Sequence, residues 1–244
     1  MFSLIKRKAP VPLFPFGTDM HSHLLPGVDD GASGVEASLG LIAGLRALGY
    51  RSLVTTPHVY SELYPNTPAT LAPAFATLQE ALTTSEIPLR YAAEYFLDDY
   101  VDALLQDKNP LLCIYENWVL VETSFVQAPL DLDRRLFDVQ LAGYKPILAH
   151  PERYPYWHLD RSKYHDFREK GLLLQVNLLS LTGYYGKAVA DTARYLVKEE
   201  MVDLVGTDCH HERHIAALQK GAGDILRILE PLVRKDKLLN NHIF

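Results

Sequence analysis

The chain has 244 residues, of which 48% are hydrophobic, and it carries a formal net charge of −6 at pH 7. This length and apolar content suit one sizeable hydrophobic core, within the range of a single α/β barrel domain. The longest basic run covers only residues 6–8, so the electrostatic footprint of a nucleic-acid-binding protein is missing and we expect no nucleic acid partner. An anionic substrate would need a local positive site, such as metal ions.

The cysteines and the N-terminal segment bear on the cellular compartment. Cys113 and Cys209 are too few for a disulfide framework and lie far apart in the sequence, which predicts reduced thiols and a cytoplasmic location. Residues 1–15 contain no apolar stretch of signal-peptide length, and no run in the chain approaches ~18 apolar residues. We predict an N-terminal arm over residues 1–15, one domain over residues 16–244 and no direct insertion into a membrane.

Short β-rich apolar runs alternate with stretches of helical periodicity along the chain. Strands are predicted at residues 16–20, 52–55, 89–93, 118–121, 146–149, 172–176 and 202–206. After a first helix, further helices are predicted at residues 71–83, 98–105, 130–141, 161–170, 187–199 and about 215–234. Strands that alternate with helices indicate a parallel sheet, and seven such units predict an α/β fold with a closed or nearly closed barrel.

The first helix has the clearest boundaries in the sequence. Ser33 and Glu36 form a capping-box pattern, apolar residues recur at helical spacing over residues 35–45, and Gly49 follows the end. We predict that Ser33 caps this helix.

Residues that commonly bind metal ions follow nearly every predicted strand. In a parallel barrel the carboxyl ends of all strands open onto one face, so we expect these side chains to meet there. Because side chains alternate along a strand, His21 and His23 share one side and form a chelating pair. A rigid turn over residues 25–31 could fold Asp30 back over the same ions. The nine candidate metal ligands are His21, His23, Asp30, His58, Glu94, Glu122, His150, Asp208 and His210.

The alternative interpretation of each histidine is that it only makes hydrogen bonds at a strand end. Five of the ten histidines lie at predicted strand ends, however, which argues against chance. Glu94 and Glu122 each follow an apolar run, and a buried carboxylate is costly without a positive partner. Imidazoles with carboxylates suit Zn²⁺, Mn²⁺ or Fe²⁺ better than Ca²⁺, and the sequence does not separate those three. The histidines that we interpret as surface residues are His158, His165, His214 and His242, and His211 is left open.

Four segments resemble a known family. They are residues 19–31 (DMHSHLLPGVDDG), 56–58 (TPH), 150–154 (HPERY) and 207–210 (TDCH). Together they resemble the PHP (polymerase and histidinol phosphatase) superfamily, and within it the capsule-associated CpsB/CapC type of bacterial protein-tyrosine phosphatase. The PGVDDG turn favours this type, because the residue that matches Asp30 is usually histidine in histidinol phosphatases and polymerase-associated domains. The match extends from Asp19 to about Arg213.

The resemblance implies a distorted (β/α)7, TIM-like barrel, the PHP fold, as a phosphoesterase domain over residues 16–244. It also implies three divalent metal ions, for which manganese, iron and zinc are the candidates. Carried over position by position, the first ion would be held by His21, His23, Glu94 and Asp208, the second by Glu94, Glu122 and His150, and the third by Asp30, His58 and His210.

Such a metal cluster needs no protein nucleophile. Cations a few ångströms apart can hold a bridging water whose pKa falls toward ~7, so that hydroxide attacks phosphorus while the ions clamp the phosphoryl oxygens. The better-known tyrosine phosphatases use a cysteine with an arginine six positions later, and neither Cys113 nor Cys209 has an arginine there. We therefore predict that Cys209 is a packing residue.

Arginine can supply a planar fork that matches phosphate oxygens. In the family, the arginine that matches Arg153 helps to bind the phosphoryl group, whereas the alternative is a surface salt bridge to Glu152. The family's second arginine falls on Ile215 in this chain, two residues after Arg213, which leaves the role of Arg213 open. Asn177, at the end of the sixth predicted strand, either orients a ligand or water or caps a turn. The predicted catalytic residues are Arg153, Arg213 and Asp30.

An aryl phosphate suits this site, because a phenol leaving group with a pKa near ~10 demands little of a general acid. The resemblance implies a phosphotyrosine protein substrate, namely a membrane-associated bacterial tyrosine kinase of capsule or exopolysaccharide synthesis. A small-molecule phosphatase of the histidinol phosphate or nucleotide type and a non-catalytic metal-binding module stay open as alternatives. Aromatic residues near the rim, among them Tyr184 and Tyr185, could flank a substrate ring or simply pack.

Overall fold

The computed structural model of the chain describes residues 13–82 and 87–244. Most of the predicted N-terminal arm and the last residue of the helix predicted at 71–83 lie outside these residues. Phe14, at the end of the predicted arm, is buried, and its ring stacks on Phe16 with the centroids 5.5 Å apart. The Phe14 backbone N–H donates to the Leu48 carbonyl over 2.7 Å. The described core therefore includes Phe14.

The strands are short and pair in parallel within two sheets. They are β1 (Thr18–Asp19), β2 (Ser52–Thr55), β3 (His58–Val59), β4 (Leu89–Tyr91), β5 (Glu94–Phe96), β6 (Trp118–Glu122), β7 (Lys145–Ala149), β8 (Leu173–Asn177) and β9 (Leu204–Gly206). One sheet has the order β1-β2-β4, and the other has the order β3-β5-β6-β7-β8-β9. The predicted α/β class with parallel strands is confirmed.

Helices occupy most connections between the strands. The α-helices are α1 (Val35–Ala47), α2 (Pro68–Ala81), α3 (Asp99–Gln106), α4 (Leu132–Leu141), α5 (Ser162–Glu169), α6 (Lys187–Lys198) and α7 (Glu212–Arg234). Short 3-10 helices lie at Pro151–Arg153, Pro155–Trp157, Leu178–Thr182 and Leu239–His242. All seven predicted helices are therefore present, with ends that differ by a few residues.

Two helix starts differ from the prediction. The capping box predicted for α1 is wrong, because Gly34 is the N-cap and no side chain caps that helix. A capping box belongs instead to α2, where the backbone N–H groups of Thr67 and Thr70 each donate to the other residue's hydroxyl. Pro68 starts α2, since the first helical position has no intrahelical partner for its N–H and a proline is tolerated there.

Two strands are interrupted, and each continues in the other sheet after a short gap. β3 continues the line of β2 after Pro57, which has no N–H to donate, and β5 continues the line of β4. Backbone hydrogen bonds cross both gaps, because the Ala92 N–H donates to the Thr55 carbonyl over 2.8 Å and the Glu94 N–H donates to the Pro57 carbonyl over 3.0 Å. The strand lines thus stay adjacent and deliver His58 and Glu94 side by side.

The sheets curl, and their outer strands approach each other beyond β1 and β9. A parallel bridge joins Ser22 to Cys209. The His23 N–H donates to the Cys209 carbonyl over 3.0 Å, and the Asp208 N–H donates to the His21 carbonyl over 2.8 Å. These contacts place the segment after β1 beside the segment after β9. The structure establishes a curled parallel half-barrel, and full closure into seven units stays a prediction.

Alternation along the strands separates two apolar layers. Val119 and Val121 of β6 belong to the large core between sheets and helices, whereas Leu120 belongs to a smaller cluster on the opposite, inner face. Glu122 follows Leu120 by two residues, and Glu94 follows the inner-face residue Ala92 by two. The inner face is therefore apolar along the strands and carries carboxylates where the apolar runs end. This arrangement places the candidate site at that end of the sheet.

No helix within the described parts of the chain is both long and apolar enough to span a membrane.

Candidate metal centre

The candidate site is a cavity of about 280 Å³ at the carboxyl ends of the strands. A larger groove of about 580 Å³ between α3 and α4 contains none of the predicted site residues. The residues that line the site cavity are Asp30, His58, Glu122, Phe125, His150, Arg153, Tyr185, Asp208, His210, His211 and His214. His21, His23 and Glu94 are fully buried and complete the donor set from beneath.

The innermost group of donor atoms contains His21, His23, Glu94 and Asp208, all buried, with one atom from each within 4.8 Å of the others. The Nε2 atoms of His21 and His23 lie 3.1 and 3.4 Å from Oε2 of Glu94. The same two nitrogens each lie 3.4 Å from Oδ1 of Asp208. This group is identical to the predicted ligand set of the first ion.

A second group of donor atoms shares Glu94 with the first, and Nδ1 of His58 lies 3.3 Å from Oε2 of Glu94. His58, Glu94 and Glu122 offer donor atoms within 4.8 Å of one another. His150, which was predicted in this set, approaches through Nε2, 2.9 Å from Oε1 of Glu94. Glu94 thus faces both the innermost group and this one, as expected of a bridging carboxylate.

The third group is the most accessible. His23, Asp30, His58 and His210 offer donor atoms within 4.8 Å of one another. Oδ1 of Asp30 lies 3.6 Å from Nε2 of His58 and 3.5 Å from Nε2 of His210. The Asp30 side chain is about half exposed at 54%, so this group is at the mouth of the cavity. The turn at residues 25–31 therefore folds Asp30 back over the histidines as predicted.

Charges in this centre shift one another's pKa. Burial alone would lower the pKa of His21, but the carboxylates of Glu94 and Asp208 raise it above its ordinary value. Burial also opposes the charge on His58, whose pKa is nevertheless raised to about 9 by Glu122 and Glu94. Burial would raise the pKa of Glu94, and the imidazoles of His21 and His58 instead lower it well below its usual range. These buried carboxylates carry negative charge that requires cations nearby.

Two imidazole nitrogens among these donors have no hydrogen-bond partner within the described residues. Nδ1 of His58 lies 2.8 Å from Oε1 of Glu122, yet among the described residues this nitrogen has no partner with hydrogen-bond geometry. The buried Nδ1 of His150 also has no partner there. The rings of His23 and His210 stack with their centroids only 3.9 Å apart. Such a set of imidazole and carboxylate donors, without thiolates, suits divalent cations.

Two residues that the sequence analysis missed orient the first histidine pair. His23 Nδ1–H donates to Oδ2 of Asp29 over 2.7 Å, and His21 Nδ1–H donates to Oε1 of Gln175 over 2.8 Å. Each contact leaves the Nε2 atom directed at the donor group, which is how metal-binding histidines are commonly held. Asp29 also accepts from the His58 backbone N–H over 3.1 Å. The paired carboxylates of the turn were a signal for Asp29, whereas Gln175 lies within an apolar strand that gave none.

Asp208 is held by two side chains through one oxygen. Its Oδ2 atom accepts from Asn177 Nδ2 over 2.7 Å and from Arg153 Nη1 over 2.8 Å. Asn177 therefore orients a predicted ligand, one of its two predicted roles. The alternative salt bridge from Arg153 to Glu152 is not what the structure has, because Glu152 is fully buried and accepts instead from the Ser180 hydroxyl over 2.7 Å.

His211, His214 and Arg213 lie at the start of α7. The interpretation of His214 as a surface residue is wrong, because its ring is buried and its Nδ1 accepts from the His210 backbone N–H over 3.2 Å. His211 accepts from the His214 N–H at the helix start and lines the cavity. Arg213 is exposed and is not among the lining residues.

Two predicted ligands have backbone conformations that are rare for residues with side chains. His150 has φ of 34° and Asp208 has φ of 50°. Left-handed backbone at a non-glycine residue costs energy and is found preferentially at functional sites. His150 directly follows β7, Asp208 comes two residues after β9, and both line the cavity.

The fold is a curled parallel α/β fold, and its strand ends bring together histidines and carboxylates suited to divalent cations, beside an arginine. These features define a metal-binding α/β protein with a hydrolase-type centre. A family model described as capsular polysaccharide synthesis, CpsB/CapC, matches residues 17–229. The chain belongs to this family, and the resemblance predicted from the four sequence segments is confirmed.

Relatives of this chain are tyrosine-protein phosphatases. YwqE of Bacillus subtilis is 31% identical over 196 residues, which cover 79% of this chain and 77% of YwqE. CpsB of Streptococcus pneumoniae is 26% identical over 201 residues, which cover 79% of this chain and 82% of CpsB. A solved structure from the study of these two proteins, described as unique metal-dependent tyrosine phosphatases, matches with a TM-score of 0.80 at 26% identity and covers 93% of this chain and 94% of that chain.

Proposed function

We propose that this chain is a metal-dependent protein-tyrosine phosphatase that acts in capsule or exopolysaccharide synthesis. The observation that carries the proposal is the placement of three overlapping histidine–carboxylate groups at and beneath one cavity, which the Arg153 side chain also lines. Membership of the CpsB/CapC family and the phosphatase activity of the relatives support the same function.

The proposed cofactor is a set of three divalent cations, with manganese, iron or zinc as the candidates. When bound, such cations supply a water of lowered pKa for attack on phosphorus and neutralise charge on the phosphoryl oxygens. The residues that would hold them are His21, His23, Glu94 and Asp208 for the first, Glu94, Glu122, His150 and His58 around the second, and Asp30, His58 and His210 for the third.

The residues of the chain itself bind and orient. Arg153 binds phosphoryl oxygens through the N–H groups that its hydrogen bond to Asp208 leaves free, since a guanidinium has five donors. Asp29 accepts from Nδ1–H of His23, which leaves Nε2 as the nitrogen that would bind a cation. At the mouth, a hydrogen bond from His210 lowers the pKa of Asp30, so this carboxylate stays ionised at neutral pH.

The proposed fold of the domain is a distorted (β/α)7 barrel. The bridge between Ser22 and Cys209 supports closure between the first and last strand lines. Closure explains why residues from both ends of the chain, such as His21 and Asp208, meet in one donor group.

The proposed substrate is phosphotyrosine in a protein, specifically a membrane-associated bacterial tyrosine kinase of polysaccharide export. The cavity of about 280 Å³ is open to solvent at Asp30 and Phe125, which suits a side chain that enters from a protein surface. An aryl ester also makes the least demand on a general acid, since a phenol is a good leaving group.

A comparison of kcat/KM tests the substrate class. We expect phosphotyrosine peptides and the phosphorylated kinase to be hydrolysed with higher kcat/KM than histidinol phosphate or nucleoside monophosphates. A preference for one of the small molecules would replace the proposal with the small-molecule phosphatase. Metal-loaded protein that hydrolyses none of these esters would be a non-catalytic metal-binding module.

A further inference from the structure

The guanidinium of Arg153 contacts two aromatic rings. Its central carbon is 4.4 Å from the ring centroid of Tyr185 and 4.9 Å from that of Phe125. Both rings line the site cavity together with Arg153. We call Phe125 and Tyr185 the aromatic bracket.

Each ring of the aromatic bracket is held by its own surroundings. Tyr185 lies in the turn from Gly183 to Gly186, both of which have positive φ, and the Gly186 N–H donates to the Gly183 carbonyl over 2.9 Å. The ring of Tyr184 packs edge-on to Tyr185 at 5.0 Å and to His214 at 5.4 Å. The turn between Leu178–Thr182 and α6 is thereby fixed against the start of α7.

Phe125 comes from another part of the chain, the loop that follows β6. Its ring stacks on His150 with the centroids 5.5 Å apart and tilts against Tyr154 at 5.2 Å. The Tyr154 hydroxyl accepts from the Thr123 N–H over 3.1 Å, which ties this loop to the chain after His150. The two halves of the bracket are therefore positioned independently of each other.

The bracket restricts the orientation of the guanidinium. Aromatic faces attract a guanidinium and shield its faces from water, whereas its N–H groups point outward in the plane of the group. Nη1 donates to Asp208 over 2.8 Å, and this bond fixes rotation within that plane. A guanidinium held in this way presents its remaining donors as a preformed fork for an oxyanion.

We propose that Phe125 and Tyr185 are positioning residues for phosphate recognition, which act by fixing the plane of Arg153; this rests on the proposed function. The ring of Tyr185 carries the effect, not its hydroxyl, because that oxygen is buried and has no hydrogen-bond partner among the described residues. Tyr185→Leu should therefore remove the effect, and Tyr185→Phe should retain most of it.

The test measures phosphate recognition with and without Arg153. With Tyr185→Leu, we expect kcat/KM for para-nitrophenyl phosphate and the affinity for inorganic phosphate, measured by calorimetry on the metal-loaded protein, to fall together by about 3- to 30-fold. In the Arg153→Ala background, the same change should cost less than about twofold, because the group that it positions is gone. Tyr185→Phe should stay within about threefold of the parent protein, since a phenylalanine ring also attracts a guanidinium.

Tyr195→Leu is the matched control, because the ring centroid of Tyr195 lies 4.3 Å from the central guanidinium carbon of Arg161, outside the site cavity. It should leave phosphate affinity unchanged, and metal content should be equal in all variants. An equal loss from Tyr185→Leu with and without Arg153 would overturn the proposal, as would no loss in phosphate affinity at all. Should Tyr185→Leu fail to fold, Phe125→Leu in both backgrounds gives the same comparison.

The outcomes also separate this proposal from the proposed function. A parent protein without phosphatase activity, whose phosphate affinity still depends on Tyr185 through Arg153, would contradict only the proposed function. An active parent protein whose phosphate affinity does not depend on Tyr185 would contradict only the proposed role of the aromatic bracket.

Discussion

Arg153 donates a hydrogen bond from Nη1 to Oδ2 of Asp208 over 2.8 Å, so the predicted phosphate-binding residue and a predicted metal ligand are in direct contact. Asn177 donates to the same oxygen, which leaves Oδ1 of Asp208 directed at His21 and His23. The carboxylate therefore connects substrate recognition on one side with the innermost donor group on the other.

Replacement of Arg153 should separate these two roles. Arg153→Ala is expected to lose about 2 to 4 kcal/mol of transition-state binding, or roughly 30- to 10³-fold in kcat/KM. Metal content should stay unchanged, because Asn177 still holds Asp208. Arg153→Lys should restore only part of the activity, since a point charge does not reproduce the bidentate fork. Loss of metal in Arg153→Ala would show instead that the arginine acts by maintaining the ligand set.

Arg213 provides the comparison with Arg153 within the same chain. It is exposed at the start of α7 and does not line the cavity, so Arg213→Ala should cost less in kcat/KM than Arg153→Ala. Measurements of kcat/KM on both variants under the same conditions test this expectation. If the two losses are equal with metals still bound, the chain after His210 must rearrange to bring Arg213 to the substrate.

Asp29 should matter for metal affinity although it lies outside the nine predicted ligands. Removal of its charge in Asp29→Asn weakens the contact that holds His23 at 2.7 Å, and we expect the metal affinity to fall about 10- to 100-fold. Chelator competition followed by metal analysis measures this change. Asp191→Asn, which alters an exposed aspartate paired with Lys187, is the control and should have no effect. Unchanged metal affinity in Asp29→Asn would restrict Asp29 to a role in the turn.

Much of this centre could be predicted from the sequence, because strand ends in a parallel fold converge whatever the details of packing. His21 and His23 alternate in the segment directly after β1, and Glu94 and Glu122 each follow an apolar run, so their convergence could be predicted from local pattern. Side chains that act through tertiary contacts were not predictable in this way. Gln175 is one polar residue in a buried strand. Only the curled fold, in which the chain after β1 approaches the inner face of the sheet, shows that it contacts His21.

Local sequence signals also gave wrong predictions for a helix cap and for the burial of one histidine. Ser33 and Glu36 fit a capping box, but α1 begins after Gly34 and the cap of α2 comes from two threonines. His214 looked like a surface residue because it lies in a polar segment. Its burial depends on α7 packing against the turn at Tyr184, which the sequence does not reveal.

Cys209 should be dispensable for catalysis. It is buried, and burial raises the pKa of its thiol, so the thiol is neutral at pH 7 and a poor nucleophile. Cys209→Ser is expected to retain kcat within about fivefold, and thermal unfolding of the variant should account for any loss from packing. A decrease of ~10³ in a folded, metal-loaded Cys209→Ser protein would point to thiol chemistry instead.

Hydrolysis of para-nitrophenyl phosphate before and after metal removal tests the central claim most directly. EDTA followed by desalting should abolish turnover, because the donor groups around Glu94 then lack the cations that supply the attacking water. Addition of Mn²⁺ or a similar divalent ion should restore the activity. Full activity of protein shown by elemental analysis to be free of metal would contradict the claim that this histidine–carboxylate centre is the catalytic site.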